Sequence, residues 1–210
     1  MCCRYWMEES PELRPFVEAV NRSPLKDKMV SKLARPIKTT GEIRPTDMVP
    51  VVAPNAKGEA VVFPMIWGFS NPKAGQPLVN CRVETVATKP TWRESWERHR
   101  CIVPASWYYE WEHFVSPDGR TKTGNKYMIQ PRGSRITYLA GLYRIEETAG
   151  LKYPVFAILT REPSEEIRFI HERMPLILPK EAVTSWIRPE GNPNELIQTA
   201  IQDMVYEKVS

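Results

Sequence analysis

This chain of 210 residues has no long apolar run, and its cysteines and histidines do not show the spacings typical of metal sites. No stretch approaches the roughly 18 apolar residues that cross a membrane, and the first residues, MCCRYW, lack the apolar segment of a signal peptide. The four cysteines and three histidines form neither a C-x-x-C pair nor an H-E-x-x-H motif. We therefore expect no membrane span, no metal, no cofactor, reduced thiols and a cytoplasmic location.

Composition and charge are those of an ordinary globular protein. Hydrophobic residues make up 42% of the chain and charged residues 26%, which is enough to build a full core. A chain of 210 residues without an evident linker predicts one domain, spanning 1–210. The net charge of +4 permits nucleic-acid binding but argues for it only weakly.

Apolar periodicity predicts an α+β fold, with a mainly antiparallel β-sheet or barrel-like core and several short peripheral helices. Two β-rich runs, at 48–53 and 60–67, flank a turn at 55–58 and predict a hairpin. Further strands are expected at 101–111, 126–130, 136–145 and 153–160, with a polar loop at 116–125. Helices are expected at 11–21, 91–100 and 181–187, from Ser164 towards His171, and from Asn192 onwards.

Cys2 follows the initiator methionine, and its small side chain permits removal of Met1 in the cell. Removal leaves an α-amine and a thiol on one residue. The amine has a reference pKa of about 7.7 to 8.0, so it is partly neutral at physiological pH and can form a Schiff base with an aldehyde. The thiol can then close a ring. Alternatively, Cys2 is simply the second residue of an ordinary terminus.

Four further motifs follow Cys2 in order. They are Trp67-Gly68, residues 80–85 (NCRVET), residues 104–111 (PASWYYEW) and residues 171–175 (HERMP). Each sets polar groups among apolar or strand-like residues. Together with Cys2 they resemble the SOS-response-associated peptidase family, whose members are also described as abasic-site-processing proteins. The resemblance extends over residues 2–190, nearly the whole chain.

The resemblance implies that an N-terminal cysteine captures the ring-opened aldehyde of an abasic site in single-stranded DNA as a stable thiazolidine. It also implies Schiff-base lyase activity and reversal of the crosslink. The implied roles are nucleophile for Cys2, orientation of the terminal residue or sugar for Asn80, acid/base for Glu110, and sugar opening for His171. A histidine suits the proton transfer that opens a hemiacetal, and a carboxylate with a raised pKa suits proton exchange with an amine.

Each of these roles has a structural alternative. His171 could be a helix-end residue bonded to a carbonyl. Glu110 could point to solvent from a strand, and Asn80 could be a turn residue. The co-occurrence of the motifs, rather than any single residue, favours the functional interpretation.

DNA binding needs cations for phosphates and planar groups for unstacked bases. The residues expected at the DNA interface are Arg4, Arg44, Pro45, Thr46, Trp67, Gly68, Arg82, Glu84, Thr85, Trp107, Arg161, Arg173, Met174 and Pro175. Within this set, Trp67 and Trp107 are the candidate stacking surfaces. Core packing is favoured instead for Trp92, Trp96, Trp111 and Trp186.

Three residues depart from the family pattern. Cys3 and Trp107 stand where glycine is usual, and Cys81 stands where alanine is usual. Glycine often marks a positive φ or a close approach, so these changes are expected to alter the geometry of the cleft more than the reaction class.

Three functions remain open on the sequence. The first is covalent capture of abasic single-stranded DNA by a monomer. The second is an N-terminal-cysteine peptidase limited to its own processing, although only Met1 precedes Cys2 here. The third is non-covalent binding of single-stranded DNA, which would not need the thiol of Cys2.

Overall fold

A computed structural model describes residues 2–209, which form thirteen β-strands and five short α-helices. The strands are β1 (Arg4–Met7), β2 (Gly41–Ile43), β3 (Met48–Pro54), β4 (Ala60–Trp67), β5 (Asn80–Arg82), β6 (Arg100–Ala105), β7 (Trp107–Val115), β8 (Thr121–Pro131), β9 (Thr137–Thr148), β10 (Leu151–Arg161), β11 (Met174–Pro175), β12 (Ile177–Leu178) and β13 (Met204–Val209). The helices are α1 (Arg14–Asn21), α2 (Pro24–Leu33), α3 (Pro90–Arg98), α4 (Val183–Ile187) and α5 (Pro193–Leu196).

Five of the strands close into a barrel. Around the ring, β10 pairs with β4, β4 with β3, β3 with β6, β6 with β9, and β9 with β10 again. Within residues 2–209, β10 runs parallel to β4 and β5, whereas the remaining strand ladders are antiparallel. The predicted α+β fold with a mainly antiparallel, barrel-like core is therefore confirmed.

A second sheet of five strands packs against the barrel in the order β13-β8-β7-β1-β2. Successive side chains on a strand point to opposite faces, so each strand has an inner and an outer set. The inner set includes Tyr5, Tyr108 and Ile129, which share one hydrophobic core with barrel residues such as Val51 and Phe156. Burial of this face fixes the register of the whole sheet.

The predicted hairpin at 48–67 is confirmed as β3 and β4, with the turn closed by the Gly58 N–H donating to the Asn55 carbonyl oxygen over 2.9 Å. The helix predicted at 91–100 forms as α3 but ends at Arg98, because Arg100 already lies in β6. The loop predicted at 116–125 is shorter, since β8 begins at Thr121.

The helix predicted from Ser164 to His171 is wrong. Only a 3₁₀ turn at Glu165–Ile167 forms there, and Ser164 provides no side-chain cap. The chain must reverse direction between β10 and β11, which pair antiparallel, and residues 162–173 are used for that reversal. Local helical signals are overridden by this tertiary requirement.

Candidate active site

Cys2 lies buried where β1 begins, between the five-stranded sheet and the barrel. It is 1% exposed and belongs to the core that joins the two sheets. Its thiol donates to the Arg4 carbonyl oxygen over 3.7 Å, and its own carbonyl oxygen accepts a 2.8 Å hydrogen bond from Asn80 Nδ2. Burial raises the pKa of the Cys2 thiol well above its usual value, and Glu110 raises it further. The thiol is therefore protonated at neutral pH.

Asn80 reaches Cys2 from the barrel side. It opens β5, which runs parallel to β10 with Asn80 opposite Ile158, so the alternative of a turn residue is wrong. Its amide oxygen is buried and has no hydrogen-bond partner in residues 2–209. The amide nitrogen of Asn80 thus holds the Cys2 backbone, and its amide oxygen lies beside Cys2 as a hydrogen-bond acceptor.

Glu110 lies on the inner face of β7, opposite Tyr127 of β8. It is 3% exposed, and its Oε1 accepts the Trp111 N–H over 3.3 Å. The alternative of a solvent-facing glutamate is therefore wrong. Burial raises the pKa of the Glu110 carboxyl above its usual value, which brings it closer to the neutral range in which proton exchange is efficient.

His171 approaches from the reversal between β10 and β11, outside any helix. The residue is 8% exposed, and its Nδ1 accepts the Arg173 N–H over 2.9 Å. Burial lowers the pKa of His171 to about 4. The ring is therefore neutral at pH 7 and carries its proton on Nε2, because Nδ1 serves as an acceptor.

His113 is a neighbour of the site that the motifs did not reveal. Its exposed ring lies 4.7 Å from the ring of His171, centroid to centroid. A β-bulge between Trp111 and His113 changes the strand register, and the His113 N–H donates to the Ile170 carbonyl oxygen over 3.0 Å. Simple alternation along β7 does not predict this contact, since bulges re-aim the side chains that follow them.

Two buried phenols were also missed. Tyr5 and Tyr108 face each other across β1 and β7 on the inner face, and both are fully buried. Their hydroxyl groups have no hydrogen-bond partner in the described part of the chain. Burial raises the pKa of each phenol well above its usual value, and the Cys2 thiol contributes in the same direction. In the sequence these tyrosines are indistinguishable from ordinary core residues.

Arg82 and Arg173 line one groove of about 390 Å³ beside the reversal. Arg82 is exposed, whereas Arg173 is largely buried and donates to both oxygens of Glu84, at 2.8 and 2.9 Å, and to the Thr160 carbonyl oxygen at 2.7 Å. Arg161 lines a neighbouring cavity of about 280 Å³ together with Glu84. The structure thus brings together three of the arginines expected at the DNA interface, and Glu84 holds Arg173 in place.

The turn at Arg44, Pro45 and Thr46 is firmly built. Thr46 has a φ of 74°, and its N–H donates to the Trp67 carbonyl oxygen over 2.8 Å. The Arg44 N–H donates to an Asp47 carboxylate oxygen over 2.8 Å, and the side chains of Arg44 and Thr46 are exposed. Thr85 is half-buried and lies in the turn that follows β5.

Three residues expected at the DNA interface are buried. Trp67 is fully buried, stacks on Phe156 with centroids 6.1 Å apart, and donates from Nε1 to the Val79 carbonyl oxygen. Met174 and Pro175 are buried in β11. Their side chains are buried, and a role for these three residues in DNA binding stays a prediction.

Gly68, which follows Trp67, has a structural role of its own. Its φ is 123°, and a Cβ there would lie 2.7 Å from the Cβ of Pro77. Only glycine fits this conformation and this close approach, so its place in the motif has a structural explanation.

The departures from the family pattern are accommodated differently. Cys3 is half-buried and is not among the residues with a positive φ, so its backbone does not require glycine. Cys81 is buried in β5, and its thiol donates to the Ile158 carbonyl oxygen over 3.9 Å. Trp107 lies half-buried on the outer face of β7, where it stacks on Trp6.

Core packing is confirmed for Trp92, Trp96 and Trp186. Trp111 differs, because it is half-buried on the outer face and lies outside both hydrophobic cores of residues 2–209. Cys2, Cys3, Cys81 and Cys101 are free thiols. Within the described ranges, no group of histidine, cysteine and acidic side chains could hold a metal ion, and no helix has the length and apolarity needed to cross a membrane.

Comparison with known proteins identifies a matching family and similar sequences. Residues 1–210 match the family described as SOS response associated peptidase (SRAP). The chain is 33% identical to the abasic site processing protein YoaM of Bacillus subtilis over 142 residues, covering 64% of this chain and 60% of that protein. It is 28% identical to the abasic site processing protein YedK of Escherichia coli over 146 residues, covering 68% and 62%. The alignments therefore span about three fifths of the length of these relatives.

Solved structures show the same fold. A protein from Bacteroides thetaiotaomicron superposes with a TM-score of 0.76 at 20% identity, covering 100% of this chain and 92% of that one. A protein from Bordetella bronchiseptica superposes with a TM-score of 0.68 at 18% identity, covering both chains completely.

Proposed function

Since the chain belongs to the SOS response associated peptidase family, we propose that it captures abasic sites in single-stranded DNA covalently, through Cys2 after removal of Met1. The observation that carries this proposal is the burial of Cys2 with its carbonyl held by Asn80, together with a buried carboxyl on the same inner face. Relatives named abasic site processing proteins support the same reaction class.

Capture proceeds in two steps. The Cys2 amine attacks the aldehyde of the opened sugar, and loss of water gives a Schiff base. The thiol then adds to the C=N carbon, so that a carbon–sulfur bond forms and the thiol proton passes to nitrogen. The raised pKa of the Cys2 thiol favours this order, because a protonated thiol is a poor first nucleophile and the amine is partly neutral.

Glu110 serves both steps. Its carboxylate accepts the proton of the Cys2 ammonium and returns one to the departing hydroxyl as the Schiff base forms. The same carboxylate can remove a sugar proton from the Schiff base, which would cleave the strand by β-elimination. Reversal follows the same steps backwards: the carbon–sulfur bond breaks as a proton passes from nitrogen to sulfur, and water then hydrolyses the Schiff base, with Glu110 moving the protons of that hydrolysis.

His171 and Asn80 prepare the sugar. An abasic sugar is mostly a closed hemiacetal, and the Nε2–H of a neutral His171 can donate to the ring oxygen as it opens. The buried amide oxygen of Asn80 can accept from the Cys2 amine or from a sugar hydroxyl. Arg82, Arg161 and Arg173, with the Arg44–Thr46 turn and Thr85, would hold the adjoining phosphates.

One gel tests the proposal. Protein whose intact mass shows loss of Met1 is incubated with single-stranded DNA that contains one abasic site. We expect an adduct that survives denaturation, and we expect Cys2→Ser to form only a Schiff base that needs borohydride to persist. Cys3→Ser serves as the matched control and should behave as the parent does.

Each alternative gives a different gel. Absence of an adduct from processed parent protein would refute covalent capture. A heat-stable adduct of Cys2→Ser without borohydride would refute the thiazolidine. If Cys2→Ala forms no adduct but still shields the abasic site from strand cleavage as well as the parent does, non-covalent binding would be favoured.

A further inference from the structure

The outer face of the five-stranded sheet carries an aromatic cluster that the capture chemistry does not use. Trp6 and Trp107 stack across β1 and β7, with centroids 5.9 Å apart and planes 3° from parallel. Tyr109 meets both rings edge-on, at 6.4 and 6.5 Å. Lys126 Nζ lies 3.8 Å from the centroid of the Tyr109 ring and 5.4 Å from that of Trp111. We call these five residues the outer aromatic face.

This cluster lies outside the two main cores, although Tyr109 within it is buried. Its aromatic rings belong to neither of the two hydrophobic cores formed by residues 2–209. Trp6, Trp107 and Trp111 each keep part of their surface exposed. An aromatic cluster on an open sheet face is a general platform on which nucleic acid bases stack.

The charges beside the rings suit a polyanion. Arg4, Arg44 and Lys126 all contact the single carboxylate of Glu42, at 3.3, 2.7 and 3.1 Å. Three cations on one anion leave a net positive charge next to the aromatic rings. Glu207, on β13 opposite Met128, marks the acidic border of the face. This charge pattern favours phosphates over the mostly apolar surface of a protein partner.

The outer aromatic face begins at the level of the reacting residue. β1 starts at Arg4, two residues after Cys2, and Arg4 pairs with Tyr109, the residue before Glu110. Tyr109 and Glu110 therefore point to opposite faces at the same height in the sheet. Ile43 pairs with Tyr5, so the turn at Arg44 lies beside the same end of β1.

We propose that the outer aromatic face binds the single-stranded DNA that flanks the abasic nucleotide, with bases stacked on Trp6 and Trp107 and phosphates at Arg4, Arg44 and Lys126. This inference rests on the proposed function, because it extends the same substrate beyond the reacting sugar. Stacking is tolerant of base identity, so the face adds affinity without sequence preference.

The test measures the affinity of undamaged single-stranded DNA by fluorescence anisotropy. The double variant Trp6→Ser/Trp107→Ser should bind a long oligonucleotide at least about 10-fold more weakly than the parent. Trp6→Phe/Trp107→Phe should recover most of the affinity. Ile145→Ser, which changes an exposed apolar residue on β9, should bind as the parent does.

A second arm separates this inference from the capture chemistry. The yield of adduct with abasic DNA is measured on the parent and on Ile145→Ser, in which the outer aromatic face and Cys2, Asn80 and Glu110 are all unchanged, and the two yields should agree. If the parent forms no adduct, the proposed function fails, whereas the affinity for undamaged DNA still tests the outer aromatic face.

Parent-like DNA affinity in the folded double serine variant would overturn the inference. Loss of self-association in that variant with unchanged DNA affinity would also overturn it, and would identify the face as a protein interface. Folding is checked by the thermal midpoint of each variant.

Discussion

The two faces of strand β7 carry different chemistry on alternating residues. Tyr108 and Glu110 point inward and are almost completely buried, whereas Trp107 and Trp111 point outward and remain partly exposed. On the inner face, burial raises the pKa of the Glu110 carboxyl and the Tyr108 phenol. On the outer face, the aromatic rings meet each other and Lys126.

Under the two proposals, one strand would serve the reaction with its inner face and DNA binding with its outer face. The side-chain period of two separates the faces, so a site that needs low polarity and a surface that needs access lie one residue apart. A register slip of one residue would move the inner side chains to the outer face and the outer side chains to the inner face. Burial of the inner face prevents such a slip and therefore positions the side chains of both faces.

The largest effect is expected at the centre of the inner face. Glu110→Gln keeps the shape of the side chain but removes proton exchange, so adduct formation at saturating DNA should slow by about 10² to 10⁴. Affinity for DNA should stay near that of the parent, and any strand nicking should fall in the same variant.

Glu112→Gln is the matched control, because Glu112 lies on the same strand and accepts from Asn125 Nδ2 near the hairpin end. It should react at the parent rate. Single-turnover gels measure both variants, and a parent rate in Glu110→Gln would make that carboxylate structural.

The second prediction concerns the buried imidazole of the same site. The pKa of His171 is about 4 in the folded protein and near 6.5 in an unfolded chain, so between these values the unfolded state binds more protons. Stability should therefore fall as the pH drops from about 6.5 towards 4, and His171 should contribute no pH dependence above that window. His171→Asn should weaken this dependence.

Urea unfolding across the same pH range measures it. The pKa of His99 is also lowered by burial, so His99→Asn should weaken the same dependence, although that ring lies tilted against Tyr143, away from the site. Equal pH slopes in the parent and His171→Asn would contradict the neutral buried ring.

The sequence predicted correctly those elements whose local residue pattern matches the environment that the fold gives them. The β3–β4 hairpin and the barrel-like core follow from apolar alternation and turn residues, and the motifs placed Asn80 beside Cys2. The sequence could not distinguish residues that differ only in how deeply the fold buries them. Trp67 and Trp107 look alike in the sequence, yet the first packs on Phe156 in the core and the second stacks on the outer face.

A contact created by a bulge is equally invisible in a linear pattern. His113 reaches His171 only because the register shifts after Trp111. Likewise Glu84 and Arg173 are 89 positions apart in the sequence, and only the fold shows that the Glu84 carboxylate accepts a hydrogen bond from the Arg173 guanidinium.

A smaller effect is expected in the groove beside the site. Arg82 is exposed there and forms no ion pair in residues 2–209, so Arg82→Ala should weaken DNA binding and reduce the salt slope by about 1 if it meets one phosphate. Arg132→Ala, which removes an exposed arginine paired with Asp203, is the control. Affinities measured across a salt series decide, and an unchanged slope would remove Arg82 from the interface.

The smallest effect is expected from substituting Glu42, the carboxylate beside the outer aromatic face. Glu42 holds three cations, so Glu42→Gln should free Arg44 and Lys126 for phosphates, raise the affinity for single-stranded DNA a few-fold and steepen its salt dependence. Glu12→Gln changes the net charge equally but removes a pair with Arg135 away from this face, and it should have little effect. Both variants should form adduct at the parent rate once DNA is saturating, in contrast to Glu110→Gln. Weaker binding by Glu42→Gln would mean that this carboxylate orients the cations rather than competing for them, and the same salt series distinguishes the two roles.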